Sequence, residues 1–301
     1  MRKLLLICNP KAGRGMTGER MLEILEYYNR AGFLPEVYLT KKADDLSALR
    51  PRLREINYLV CSGGDGMVNT IENALLKHAE RAVFGYLPAG TTNDFAHSIG
   101  IPQELEGQLA ASVSDEIRCL DAGRLNDRYF MYVAGFGLFT DVSYKTPQNM
   151  KNAFGYLAYI LQGIKSISEL RPLHLSVTVD GEEIPGDFIL GMVTNSMSVA
   201  GMKTLTQTGT SLDDGLLELI LIRNPSNLME LSELVSAVLV SSFASKLIVY
   251  RQGRHFTFSG EKLAWTADGE YGGTYDVSDI NVVTGRVALR VPKEDVPDTA
   301  D

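Results

Sequence analysis

The chain has 301 residues, 45% hydrophobic and 22% charged, the make-up of a globular protein with one large domain or two ordinary ones. Its formal net charge of −8 excludes a broad nucleic-acid footprint and docking on anionic lipid by charge alone, leaving only a local basic patch open. The cysteines, Cys8, Cys61 and Cys119, are scattered and form no Cys-x-x-Cys pair, which predicts reduced thiols in a cytosolic protein.

The opening Met1-Arg2-Lys3-Leu4-Leu5-Leu6-Ile7-Cys8-Asn9-Pro10 starts as a signal peptide would, with charge and then an apolar run. The run is short and Asn9-Pro10 stops it, so a first strand over Lys3–Cys8 is expected instead. A helix follows over about Thr17–Ala31, where Met21, Leu22, Ile24, Leu25 and Tyr28 fall at helical spacing and Gly32 is a stop. Next come a strand Glu36–Thr40, a helix Asp44–Glu55, a strand Ile56–Cys61, a helix Met67–His78 and a strand Ala82–Leu87. Regular alternation of this kind predicts a parallel sheet covered on both faces, with ligand loops at the carboxyl ends of its strands.

The pattern changes near Asp115. Strands dominate from there: Glu116–Leu125, Tyr129–Ala134, Leu173–Val179, Phe188–Thr194, Leu216–Ile222, Leu247–Tyr250, His255–Phe258, Leu263–Ala267 and Ile280–Val291. Asp180-Gly181 and Asp214-Gly215 read as turns, and helices are expected over Gln148–Glu169 and Ser226–Ser241. The division is 1–120 for the α/β part and 121–301 for a mainly antiparallel β domain of two sheets, with the last strand, about 287–294, free to return to the first. No apolar run is long enough to span a bilayer; the richest, Leu234–Tyr250, is interrupted by Ser236, Ser241, Ser242, Ser245 and Lys246.

Chemistry concentrates at the strand ends. Ile56–Cys61 runs into Ser62-Gly63-Gly64-Asp65-Gly66, and a helical pattern begins at Val68. Glycines let the main chain approach a ligand, and a helix start offers unpaired N–H groups, so the natural guest is a phosphate. Asp65 beside an anion site asks for a cation such as Mg²⁺ between them. Gly13-Arg14-Gly15-Met16-Thr17-Gly18 fits a dinucleotide fingerprint in position, but the acid that should close the second strand is replaced by Thr40, with Glu36 at the strand's start. A P-loop motif is missing. His78, His97, His174 and His255 have no metal spacing, and Trp265, Tyr156 and Tyr159 read as packing. Phe154–Leu161 is apolar and leaves a lipid contact open.

Asn9-Pro10-Lys11-Ala12-Gly13, Gly63-Gly64-Asp65-Gly66 and Leu87-Pro88-Ala89-Gly90-Thr91-Thr92-Asn93-Asp94-Phe95-Ala96 occur in order at the ends of strands one, three and four. Together they resemble the soluble diacylglycerol kinase family of lipid kinases, which shares its nucleotide domain with NAD kinases and 6-phosphofructokinases. Gly135-Phe136-Gly137, Asp213-Asp214-Gly215-Leu216-Leu217-Glu218-Leu219 and Asp268-Gly269-Glu270 extend the likeness over nearly the whole chain. Met67 departs from it, since the family usually has threonine there.

The resemblance implies a three-layer α/β nucleotide-binding domain, a β-rich lipid-substrate domain, and transfer of the γ-phosphoryl group of ATP to a lipid hydroxyl. The acceptor it favours is diacylglycerol, with phosphatidylglycerol, a ceramide or a sphingoid base, or a non-catalytic nucleotide-binding role, as alternatives. It places ATP on Asn9, Pro10, Lys11, Ala12, Gly13, Thr40, Gly63, Gly64, Asp65, Gly66, Met67, Val68, Asn69 and Thr91. Asp65, Asp94 and Asp268 would hold Mg²⁺ through water, and Glu270 would accept the substrate's proton. Ser211, Asp214 and Leu216 would hold a second Mg²⁺. Each has a plainer reading in the residues themselves: Thr40 as a strand end, Asp94 as a helix cap, Asp268-Gly269 as a turn and Asp214 as an acidic turn. A cytoplasmic enzyme meeting a membrane surface transiently, without nucleic acid and with a homodimer open, completes the expectation.

Overall fold

The structure, a computed structural model, describes residues 2–10, 17–40, 46, 49–53, 55–76, 83–90, 93–138, 140, 161, 164, 168, 170–195, 212–239 and 245–293. The chain divides into two units, Met1–Leu120 with Val287–Asp301, and Asp121–Arg286.

In the first unit β1 (Arg2–Cys8), β2 (Phe33–Leu39), β3 (Tyr58–Gly63) and β4 (Val83–Pro88) form a parallel sheet in the order β4-β3-β1-β2. The final strand β15 (Ser278–Arg290) adds its end to β4, pairing Ala288 with Val83. Strands covered on both faces read as continuous apolar runs, and Leu4, Leu5 and Leu6 of central β1 are fully buried, each worth about 1.5–3 kcal/mol. Edge strand β2 buries only Phe33 and mixes half-buried with exposed positions after it. The helix α1 (Gly18–Arg30) starts where Thr17 caps the Arg20 N–H and turns Ile24 and Tyr28 onto the sheet. There Tyr28, Phe33 and Tyr58 meet edge to face, with centroids 6.2 and 4.8 Å apart. The short helix α2 (Arg50–Leu53), α3 (Asp65–Leu76), α4 (Asp94–Ser98) and α5 (Leu105–Ser112) complete the unit. The register matters most: Cys8 lies beside Leu39 and Ser62, and Gly63 beside Pro88, so the strands all stop at one edge.

The second unit is antiparallel, and together they bear out the expected α/β-plus-β architecture. It contains the rest of β5 (Ile117–Leu125), then β6 (Arg128–Phe130), β7 (Val133–Gly137), β8 (Leu173–Val179), β9 (Glu182–Thr194), β10 (Leu217–Arg223), β11 (Ile248–Gly253), β12 (His255–Ser259), β13 (Leu263–Ala267) and β14 (Glu270–Tyr275). The first half of β9 pairs with β8, while its second half lies between β7 and β10, so the sheet branches there. One core, with Phe136, Phe258 and Trp265 edge to face at 4.9–5.6 Å, fills the space between strands. A second packs α6 (Leu228–Leu239) on β9 and β10 through Leu231, Leu234, Val235 and Val238.

Two differences from the expected elements have physical causes. The expected strand Tyr129–Ala134 breaks at Met131-Tyr132, whose N–H groups bond a side chain instead of a strand. β14 was hidden because Gly272 and Gly273 lower its strand propensity; they form a bulge opposite Trp265. The second helix is only Arg50–Leu53 among the described residues. The expected helix Gln148–Glu169, the apolar stretch Phe154–Leu161 and His78 lie essentially outside the described residues. No described helix is long and apolar enough to cross a membrane.

Candidate functional site

Because the strands end together, the loops after β1, β2, β3 and β4 meet on one edge of the first unit. Asn9 N–H donates to Ser62 O (3.1 Å), and Thr40 donates to Cys8 O through its N–H (2.9 Å) and its hydroxyl (3.3 Å). Gly63 O accepts Ala89 N–H (2.8 Å) and the hydroxyl of fully buried Tyr86 (3.1 Å). The loops are therefore stitched main chain to main chain before any ligand arrives.

Two glycines of these loops approach closely. A Cβ on Gly90 would sit 2.7 Å from the Gly64 Cα, so any side chain there would fill the cradle where the loops touch. Asn93 holds Gly90 in place: its Oδ1 accepts Gly90 N–H (2.8 Å) and its Nδ2 donates to Gly90 O (3.1 Å). It does so from a left-handed backbone, φ 52, which asparagine tolerates better than most residues. α3 opens immediately after Gly64, and its first N–H groups lack intrahelical partners by construction. A glycine cradle beside a helix start suits phosphate, so these residues fit a nucleotide.

Individual positions divide by what they do. Met67 donates its N–H to Gly64 O (2.9 Å), closing the turn, and its side chain is buried with Cβ only 2.6 Å from where a Gly63 Cβ would stand. Val68 is core, and Asn69 accepts from the Asn73 amide at its O (3.0 Å) and Oδ1 (3.1 Å). Asn9, Pro10, Thr40, Gly63 and Gly64 share the loop edge, while Asp65 and Asp94 open α3 and α4, with Gly66 second in α3; the two carboxylates are outside the described side chains. Lys11, Ala12, Gly13 and Thr91 lie outside the described residues. Burial pushes the Cys8 thiol up to about 12, which removes it as a nucleophile at this edge.

In the second unit Asp268-Gly269 makes a two-residue hairpin turn with both backbones left-handed, φ 48 and 84, and Glu270 follows as the exposed first residue of β14. The Asp268 carboxylate accepts three main-chain N–H groups: Met131 (2.8 Å), Tyr132 (2.9 Å) and Val133 (2.8 Å). Trp265, one strand back, is fully buried and donates Nε1–H to Ser278 Oγ (2.8 Å).

The acidic turn is built differently. Asp214 is exposed, and its Oδ1 accepts the Leu216 N–H (2.9 Å); Ser211 lies outside the described residues. Its organiser is Asp121, which sequence reasoning passed over. Asp121 is 2% exposed, and its two carboxylate oxygens accept Gly215 N–H (2.6 Å) and Gly285 N–H (2.9 Å). Buried Asn195 donates to Asp121 O (2.6 Å). An acid inside the apolar stretch Cys119-Leu120-Asp121-Ala122 was the available signal. A carboxylate with peptide carbonyls is an all-oxygen donor set, which suits Mg²⁺, although the described residues hold no cluster of three acidic, His or Cys side chains. Burial first, then Glu218 and Asp214, pushes the Tyr250 hydroxyl up to about 12, so it stays protonated beside this acidic region.

Comparison with known proteins gives a consistent picture. The family model "Diacylglycerol kinase catalytic domain" matches residues 3–125, and "YegS C-terminal NAD kinase beta sandwich-like domain" matches residues 135–291. A diacylglycerol kinase of Bacillus subtilis (strain 168) is 31% identical over 98% of this chain and 98% of its own. One from Staphylococcus haemolyticus (strain JCSC1435) is 29% identical over 92% and 84%. A crystal structure of a diacylglycerol kinase from Bacillus anthracis strain Sterne superposes with TM-score 0.72 at 19% identity, covering 97% of each chain. Another from that strain reaches TM-score 0.80 at 22% identity, covering 97% and 98%; at such identity the likeness carries the fold.

Proposed function

The chain belongs to the diacylglycerol kinase family of lipid kinases, and from that premise we propose that it transfers the γ-phosphoryl group of ATP to the free hydroxyl of diacylglycerol, giving phosphatidic acid and ADP. The observation that carries this reading is the glycine cradle where Gly64 and Gly90 touch, held shut by Asn93 at the end of a parallel sheet. Phosphoryl transfer asks mainly for positioning and for dipoles aimed at the phosphates, and main-chain N–H groups at a helix start provide both. Mg²⁺, which Asp65 and Asp94 are the proposed carboxylates to hold, screens the phosphate charge when bound. Asp214 with the Ser211 and Leu216 carbonyls is the proposed holder of a second, structural ion.

Glu270 supplies the acid–base part. It takes the proton from the lipid hydroxyl as the oxygen bonds to the γ-phosphorus and the bond to the β-γ bridging oxygen breaks. Its place at the end of a two-residue turn suits that task, because such a turn presents the next side chain from a fixed backbone. A substrate buried in lipid implies transient association with a membrane surface from a cytoplasmic protein, with a homodimer as a further proposal and no nucleic-acid partner.

Glu270→Gln tests the reading. Turnover should fall by at least about a hundredfold while ATP affinity stays within a factor of about two. Near-normal turnover would remove Glu270 as proton acceptor. A panel of diacylglycerol, phosphatidylglycerol, ceramide and sphingosine in detergent micelles, scored for ³²P transfer from ATP, identifies the lipid; transfer to none of them rejects the lipid-kinase assignment.

A further inference from the structure

We propose that Asp268 is a positioning residue for Glu270, acting through the hairpin turn by gripping the main chain of Met131–Val133 rather than by holding a cation. The proposal rests on the reading of Glu270 as proton acceptor. Its basis is the number and placement of the bonds. Asp268 Oδ1 accepts Tyr132 N–H (2.9 Å) and Val133 N–H (2.8 Å), and Oδ2 accepts Met131 N–H (2.8 Å). The Asp268 N–H donates in return to Val133 O (2.8 Å). One residue is thus tied to one three-residue segment by side chain and backbone together, which fixes its rotation as well as its place.

The segment it grips is itself tied to the sheet, since the Tyr132 carbonyl accepts the Thr194 hydroxyl (2.7 Å) and the Asn195 N–H (3.0 Å). Met131-Tyr132 lies in the break between β6 and β7, and its two N–H groups turn to one carboxylate together with that of Val133, the first residue of β7. A carboxylate offers about four acceptor positions, and three are committed here to N–H donors at charge-assisted lengths. That leaves a cation, or a water on it, at most one acceptor position at Asp268. The other side of Glu270 is pinned too. The bulge at Gly272 and Gly273 is closed by the Tyr275 hydroxyl, whose single proton is shared between Gly272 O (3.2 Å) and Asp127 Oδ1 (3.3 Å). Glu270 therefore sits on a short stretch of chain anchored before and after it.

The full chain carrying Asp268→Asn is compared with the wild type in three measurements. An amide keeps one acceptor oxygen and sets an NH₂ group against a main-chain N–H, so the grip fails on one side. Hydrogen–deuterium exchange at Met131, Tyr132 and Val133 should rise, and kcat should fall by about a hundredfold, as misplacement of a reacting group by about 1 Å does. The Mg²⁺ concentration for half-maximal rate and KM for ATP should stay within about twofold. A Mg²⁺ requirement raised about tenfold with unchanged exchange makes Asp268 a cation ligand and overturns the proposal, as does unchanged kcat with raised exchange. If the asparagine variant does not fold, Gly269→Ala strains the same turn at φ 84 with nothing within 4 Å of the new Cβ, and should lower kcat without moving the Mg²⁺ requirement. Glu270→Gln run alongside separates the two readings. Its normal turnover sinks the proton-acceptor role, whereas its loss beside an intact Asp268→Asn sinks only the positioning role.

Discussion

Replacing Asn93 tests whether the glycine cradle must be held shut to bind nucleotide. The Asn93 side chain makes two hydrogen bonds to the Gly90 peptide, from a backbone at φ 52 and ψ 43. Each neutral bond is worth about 1 kcal/mol net, and a left-handed backbone costs an alanine roughly another 1 kcal/mol that glycine escapes. Asn93→Gly therefore loses about 2 kcal/mol of loop order and Asn93→Ala about 3 kcal/mol. If ATP must restore that order on binding, affinity falls about thirtyfold for glycine and somewhat over a hundredfold for alanine, at 1.4 kcal/mol per factor of ten. Titration calorimetry of ATP into each variant measures this directly. The refuting results are a Kd within about threefold of wild type for both, or a glycine variant weaker than the alanine one.

Two further perturbations follow from single groups. Asp121→Asn puts an NH₂ group against either Gly215 N–H or Gly285 N–H in a site only 2% exposed, at a cost of about 2–3 kcal/mol; the melting temperature should drop by about 5–10 °C, and a drop under about 1 °C refutes the role of Asp121 as organiser of the acidic turn. Glu230 at the start of α6 accepts from the Ser226 hydroxyl, the Ser226 N–H and Lys246, which hold it near about 2 instead of its usual 4.5. A carboxyl lowered on folding stabilises above its unfolded value and loses that contribution as pH falls through the folded one. Urea midpoints of wild type and Glu230→Gln should therefore differ at pH 7 and converge between about pH 4.5 and 2, whereas a gap independent of pH would count against the charge-assisted cap.

Much of this fold is legible because its signals are local. Apolar runs ending in glycine, followed by helical spacing, are read within about fifteen residues, and they mark β1, β3, β4 and the edge where the loops meet. Asn93 was within reach as well, since it grips a residue three positions away inside the same motif. Asp121 and Asp268 were not, because their partners are 94 and 135 residues distant. In the sequence Asp268 looks like an ordinary turn acid and Asp121 shows only as an acid among apolar residues, and only the tertiary fold brings an N–H to either. β14 was missed for the opposite reason: its Gly272 and Gly273 look like loop, but they are what the bulge needs, with Gly273 at φ 111.

Met67 shows how a motif position can change while its neighbour cannot. Helix α3 brings the residue-67 Cβ against β3, 2.6 Å from any Cβ that residue 63 would carry, and the next side-chain atom stands at 2.9 Å. Gly63 is thus glycine because of the Cβ at 67, and every residue there except glycine has one. What extends beyond Cβ is free to vary so long as it fills the apolar space where Met67 is 8% exposed. The N–H of residue 67, bonded to Gly64 O, closes the turn whatever the side chain. A threonine hydroxyl is therefore dispensable to the shape of the cradle, which depends on the glycines, on the helix start and on the amide of Asn93.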